Sequence, residues 1–302
     1  MITSMTQWHP IFAKLLRPAV EGYYDVQTTV PVGDSPREAD CVVLRRLQNA
    51  KPPFQGLWKH FTTWNVVEYK GPTVTPRSEH VESLIELGLG IDRRLRHQHS
   101  PGSLPLPKPE EVSFWYVASR LSRRFLQNVE RKLGPLENLG PGLWRCQCLG
   151  RLVFWISSVD LPVEPESLLL HIIGPEPMAH AQEVARVVLE NPNLQVPYSS
   201  VLAALHPATW KEIEVMAKRS GSQLPFDIRP AVELFGMRRI VDQVGLGKVI
   251  EQVGMDRVIR EIGMPRVIRE VGLPQVLKEF TMSDIVANLS AKDRRELKLL
   301  LQ

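Results

Sequence analysis

Residues 64–71 read WNVVEYKG, and how these eight positions are read decides the kind of fold the chain adopts. Trp64, Val66, Val67 and Tyr69 are residue types that fill a pleated, buried surface, so the run predicts a strand. Glu68 and Lys70 interrupt it. Side chains two apart on a strand project to the same side, so Glu68 and Lys70 share one face and Val67 and Tyr69 the other. Two placements are open: the solvated edge of a sheet, or a common aim into a site that uses both charges. The E-x-K triplet decides nothing by itself, because Glu296-Leu297-Lys298 repeats it in what reads as a terminal helix.

The flanking sequence supplies the context. Apolar residues at Ile11, Phe12, Leu15, Leu16, Ala19 and Val20 have helical spacing. Residues 24–33 are rich in β-branched types and end on a Gly33-Asp34-Ser35-Pro36 turn, which predicts a strand. A second strand, 39–44, carries Asp40 at its start, and a loop with Lys51-Pro52-Pro53 leads to the third, WNVVEYKG. Val81, Leu84, Ile85, Leu87 and Leu89 predict a helix over 78–95, with Gly88 and Gly90 weakening its second half. Downstream, 97–111 reads as a Pro- and Ser-rich loop, 112–118 as a strand and 122–133 as a helix. Strands are expected at 152–159 and 168–173, and helices over 178–189 and between 199 and 219. Strands alternating with helices imply a mixed α/β sheet flanked by helices.

Near Phe235 the texture changes. GMRRIVDQV, GLGKVIEQV, GMDRVIREI, GMPRVIREV and GLPQVLKEF follow one another from Gly236 in nine-residue register, and a sixth copy from Thr281, TMSDIVANL, lacks the glycine. Positions two, five, six and nine are apolar, which is one face of a short helix. One continuous helix would rotate that face by about 180° per copy. A stack of two-turn helices is therefore expected, with glycine taking the left-handed conformation that closes each one and Pro265 and Pro274 in first turns. Such helices bury their faces on one another or do not persist. The array either extends the core or serves as an arm for a protein partner or a homo-oligomer, through residues 236–289. The division expected is an α/β domain at 1–225 and an all-α array of short helices at 226–302.

Composition bounds the function class. The 302 residues carry a net charge of +4, which allows a nucleic-acid partner without demanding one. From Arg229 onward 13 basic residues face 10 acidic ones, so the charge is spread rather than concentrated. No window approaches the about 20 apolar residues of a membrane span, and the first ten residues lack a secretory layout. Three cysteines, Cys41, Cys146 and Cys148, do not make a disulfide framework, and the chain is expected in the cytoplasm. Cys146-Gln147-Cys148 lacks paired C-x-x-C spacing and reads as two small core residues. His97 and His99 read as loop residues, and no phosphate-binding glycine loop is present. Two basic clusters, Arg93-Arg94-Leu95-Arg96 and Arg120 with Arg123 and Arg124, are solvated helix faces or phosphate contacts.

With Asp40 opening one strand and Glu68-Tyr69-Lys70 on the next, the order helix, strand, strand, strand, helix, strand resembles the PD-(D/E)xK nuclease superfamily, the restriction-endonuclease-like fold, over about residues 8–175. Pro36 stands four residues before Asp40 rather than beside it, a departure from the motif. The resemblance implies that Glu21, Asp40 and Glu68 hold Mg²⁺, for which Mn²⁺ could substitute. It implies that Lys70 supports the attacking water and that the substrate is a phosphodiester in DNA. Two carboxylates that close repel unless a cation or proton lies between them, Mg²⁺ takes hard oxygen ligands, and a metal-bound water loses its proton more readily. The competing expectation is a non-catalytic interaction or oligomerisation protein built on an inactive nuclease-like scaffold.

Overall fold

The computed structural model describes residues 8–31, 38–47, 52–98, 105–175, 180–221, 226–276 and 295, with the backbone alone for 29–31, 38–40, 196–197, 273 and 275. The turn at 33–36, His99 and the copy at 281–289 lie outside the described residues. The chain divides into two compact units, Met1–Val187 and Val188–Gln302. This division falls well before residue 225, because the helix Pro192–Leu205 packs on the helices that follow it through to Val244.

The first unit is a mixed sheet. Helix α1 (Trp8–Val20) leads into β1 (Tyr24–Pro31), β2 (Glu38–Arg46) and β3 (Trp64–Tyr69). Helix α2 (Glu79–His97), β4 (Val112–Ala118), α3 (Arg123–Leu133), β5 (Glu137–Gly140), β6 (Leu143–Cys148), β7 (Arg151–Ser157) and α4 (Leu168–Ile173) follow. The strand order is β1-β2-β3-β4-β7-β6-β5. Its centre, β3, β4 and β7, is parallel, and antiparallel pairs flank it on both sides. All seven residues of β4 and all six of β3 are buried, as parallel strands covered on both faces must be.

Alternation sorts the two faces. Trp64 and Val66 of β3, with Phe114 and Tyr116 of β4, pack against Val81, Leu84, Ile91 and Leu95 of α2 and Phe125 and Val129 of α3. On the other face Tyr69 stacks on Phe12 of α1, with ring centroids 5.6 Å apart, and its hydroxyl donates to the Ile173 carbonyl at 2.7 Å. Gly88 stays in α2 for a packing reason, since a Cβ there would lie 2.6 Å from the Phe114 ring. The loss of helix propensity is thereby offset by close approach of α2 to β4. Ser122 caps α3 by accepting the Phe125 N–H at 3.2 Å.

Buried Asp92 ties α2 to β7. One of its oxygens accepts from Arg96 Nε at 2.8 Å, and the other accepts from Arg151 Nε at 2.9 Å and Nη2 at 2.5 Å.

One expected element changes type. Residues 168–173, LLLHII, form α4 instead of a strand, with all six side chains buried. A short apolar run gives no periodicity that distinguishes a buried strand from a buried helix. Ser167 turns the chain into α4, accepting the Glu164 N–H and donating to the Pro162 carbonyl, and Gly174 ends it.

The second unit is helical. Helix α5 (Ala181–Glu190) spans the division, followed by α6 (Pro192–Leu205), α7 (Pro207–Ser220) and α8 (Arg229–Phe235). Then come α9 (Met237–Val244), α10 (Leu246–Val253), α11 (Met255–Ile262), α12 (Met264–Val271) and the short α13 (Leu273–Val276). Single glycines separate α8 to α13. Met237, Leu246, Met255 and Met264 open their helices and are buried together with Ile240, Val249, Val258 and Val267 in one core. The joining glycines have φ of +81 to +93 but ψ of 142 to 149, so they are extended in the mirror-image region rather than left-handed helical. Gly254 illustrates why: its N–H closes α10 on the Ile250 carbonyl at 2.9 Å while its own carbonyl accepts from Val258 at 3.3 Å, so one residue ends a helix and starts the next. No described helix is long and apolar enough to cross a membrane.

Candidate functional site

The parallel strands β3 and β4 end side by side, the edge of an α/β sheet at which ligands commonly bind. Glu68 and Lys70 stand there. Glu68 is on the α2 face of β3, with its side chain 9% exposed, and Lys70 follows the strand with 22% exposed. The Lys70 ammonium pairs with Glu68 Oε1, and the Lys70 N–H donates to the Val117 carbonyl at 2.7 Å. The solvated sheet edge is thus not where Glu68 sits. Its second oxygen, Oε2, is buried without a hydrogen-bond partner. A buried acceptor left unsatisfied costs on the order of 1–3 kcal/mol, more when charged, so Oε2 is a donor atom in want of a cation or a proton.

Two residues that the sequence reading did not single out complete the surroundings. Tyr116 lies across from Glu68 in the β3–β4 ladder. Its hydroxyl is 2.7 Å from His80 Nδ1, in the first turn of α2, and the same Nδ1 accepts the Arg77 N–H at 3.2 Å. A nitrogen that accepts carries no proton, so His80 is neutral with its proton on Nε2. Burial holds the His80 pKa below the ordinary histidine value, and the Lys70 charge adds to this against an opposing contribution from Glu68. Burial, and then the Glu68 charge, push the Tyr116 phenol well above its usual range, so it stays a donor. Neither residue has a motif spacing. The only signal was Tyr116, a polar-tipped aromatic in a strand with one other hydroxyl, Ser113.

Asp40 lies on β2, which neighbours β3. The β2–β3 ladder ends at Val42 opposite Val67, so Asp40 and Glu68 both lie beyond its last paired step, where the strands part. On the other side Thr28 faces Val42 while Val30 faces Ala39, so Asp40 and Cys41 stand against Thr29 alone. This is a bulge, a device that bends a strand and is over-represented beside functional sites. The Asp40 side chain lies outside the described residues.

Glu21 is elsewhere. It is exposed, one residue past the end of α1, and its N–H donates to the Arg17 carbonyl. Helix α1 begins at Trp8 against Tyr69 and climbs about 20 Å to Glu21. Glu21 therefore sits by the start of β1, which pairs with Arg46 at the far end of β2 from Asp40. The structure does not bring it to Glu68. Its position in chain order matched the expectation; the direction in which α1 runs does not. Among the described residues no three His, Cys, Asp or Glu side chains gather as a metal-binding group.

The remaining candidates resolve simply. Cys146 is buried in the sheet core and Cys148 packs against the same core. Burial raises both thiols, so neither is poised as a thiolate. Arg96 is engaged with Asp92, while Arg120, Arg123 and Arg124 are exposed.

Comparison with known families, with curated proteins and with solved structures finds no match.

Proposed function

We propose that the first unit is a restriction-endonuclease-like domain of the PD-(D/E)xK kind and hydrolyses phosphodiester bonds in DNA with Mg²⁺. The observation that carries this reading is the buried, unpartnered Oε2 of Glu68, held beside Lys70 at the ends of β3 and β4. An anionic oxygen of that kind fits the hard-ligand preference of Mg²⁺. Glu68 and Asp40 would hold the ion, and Glu21 is left out of the site. The ion, when bound, supplies Lewis-acid polarisation of the phosphate and a more acidic water. Lys70, no longer needed as the sole counter-charge of Glu68, stabilises negative charge on the phosphate and orients the attacking water. His80, through Nδ1, holds the Tyr116 hydroxyl and keeps it from competing for Glu68. The helical unit, read as a nine-residue repeat, serves assembly or partner contact.

The test is plasmid nicking by the full chain with Mg²⁺, beside Asp40→Ala, Glu68→Gln and Lys70→Ala. Nicking by the parent and by none of the variants supports hydrolysis. Intact plasmid with all four supports the second reading, a non-catalytic interaction protein. What favours that alternative is that Glu68 presents the only unpartnered carboxylate oxygen of the site among the described side chains.

A further inference from the structure

The short helices carry more arginine than their acids neutralise, and the surplus is gathered in one place. A cleft of about 390 Å³ is lined by Arg238, Arg260, Arg266 and Arg269 against a single carboxylate, Glu261. Three acids nearby are already engaged, Asp242 and Glu270 with Arg266 and Glu261 with Arg257, while Asp256, one turn before Arg260, meets it through its backbone carbonyl. Arg238 and Arg260 are in no ion pair among the described residues, and both are exposed, as is Arg269. Within single helices the signs alternate, as in Arg257 with Glu261 and Arg266 with Glu270; the folded stack nonetheless concentrates positive charge, because α9, which carries Arg238, packs beside α11, which carries Arg260. The ion pairs of Arg266 fix one guanidinium in place at the wall, so the cleft is partly organised before any partner arrives.

We propose that this cleft is a docking site for the phosphate backbone of double-stranded DNA. Guanidinium groups are planar forks that match a phosphate bidentately, and they are less strongly hydrated than ammonium groups, so a cleft built from arginine fits phosphate oxygens. Such docking reads no bases; it positions the duplex and makes affinity depend on salt. It deepens the reading of the first unit as acting on DNA, but it rests on different residues and does not require cleavage.

The experiment is fluorescence anisotropy of a labelled 20-base-pair duplex titrated with the full chain in EDTA, over a salt series. The slope of log K against log salt is expected to fall in magnitude by about 2 in Arg238→Ala/Arg260→Ala, at about 0.9 for each phosphate no longer neutralised. Arg238→Glu alone, at an exposed position whose change cannot unfold the stack, is expected to lower it by about 1. A slope unchanged in both arginine variants overturns the docking site even if the parent nicks plasmid, and so does a parent that fails to bind the duplex. Displacement of the duplex by poly-glutamate as effectively as by unlabelled duplex, at equal charge, overturns it in favour of an acidic peptide partner. A lowered slope in a protein that never nicks supports the docking site and rejects only the hydrolysis.

Discussion

Replacing Asp92 by alanine removes the acceptor that joins α2 to the sheet, and the structure sets the size of the loss. The carboxylate is 2% exposed and takes three donors, one from Arg96 and two from Arg151. Arg96, with 30% of its side chain exposed, can swing to solvent and gives up little beyond its place over the Trp64 ring. Arg151, 16% exposed, cannot, and its guanidinium is left facing a void. Removing one partner of a buried pair costs about 3–5 kcal/mol, roughly 6–20 °C in melting temperature for a unit of this size. Six of the seven tryptophans lie in the first unit, Trp64 among them, so urea unfolding followed by tryptophan fluorescence reports on it. The double variant Asp92→Leu/Arg151→Met removes both charges and should recover most of the loss, because the desolvation cost disappears together with the attraction. A single variant losing less than about 1 kcal/mol, or a double variant no better than the single, would refute the argument that this pair is held by mutual neutralisation.

Other consequences can be measured in the same way. Gly88→Ala gains about 1 kcal/mol of helix propensity but drives a methyl into Phe114, which costs about 1–3 kcal/mol; the urea midpoint should fall, and a rise would show that α2 can retreat freely. Gly254→Ala meets nothing within 4 Å, yet its φ of +82 is one that only glycine adopts readily, so it should cost about 1–3 kcal/mol through the backbone alone. Calorimetry of the helical unit's transition checks this. His171 is buried with its ring nitrogen on the Pro162 carbonyl, facing His180 and Glu183, and desolvation lowers its pKa. The unfolded chain therefore binds this proton first as pH falls. The contribution of His171 to stability is complete above about pH 6.5, the unfolded value, and is lost as pH drops through the lower folded value. His171→Gln should flatten the fall in urea midpoint between pH 7.5 and 5.5, and an unchanged slope would remove His171 as its source.

The parts of the fold that sequence made legible are those in which one physical signal dominates. Continuous burial marked β3 and β4, and apolar spacing marked α1, α2 and α3 close to their observed ends. The β6 strand and its hairpin with β7 escaped because the turn is Leu149-Gly150, with Leu149 at φ +49, which lacks an Asn-Gly or Asp-Gly signature. Edge strand β5, Glu-Asn-Leu-Gly, has too little apolar surface to register. For the site, Glu68 and Lys70 were legible as a pair because strand alternation alone puts them on one face. His80 and Tyr116 were not, since their meeting depends on α2 crossing β4, a tertiary fact with no local spacing. Glu21 shows the converse error: chain order suggested proximity, and the direction of α1 removed it. The glycine joints were legible as positions but not as conformations, because a stop signal does not reveal that the same residue also starts the following helix.

That economy at the joints constrains how the protein can change in length. With no spare loop residue between α9 and α12, an inserted or deleted segment must comprise nine codons to keep every boundary in step. Each helix packs on the next and also on the next but one, α9 beside α11 and α10 beside α12. A helix gained between α9 and α11 would take the place beside α9 and carry Arg260 away from Arg238. Lineages that keep the arginine cleft should therefore gain or lose helices outside the stretch from α9 to α12.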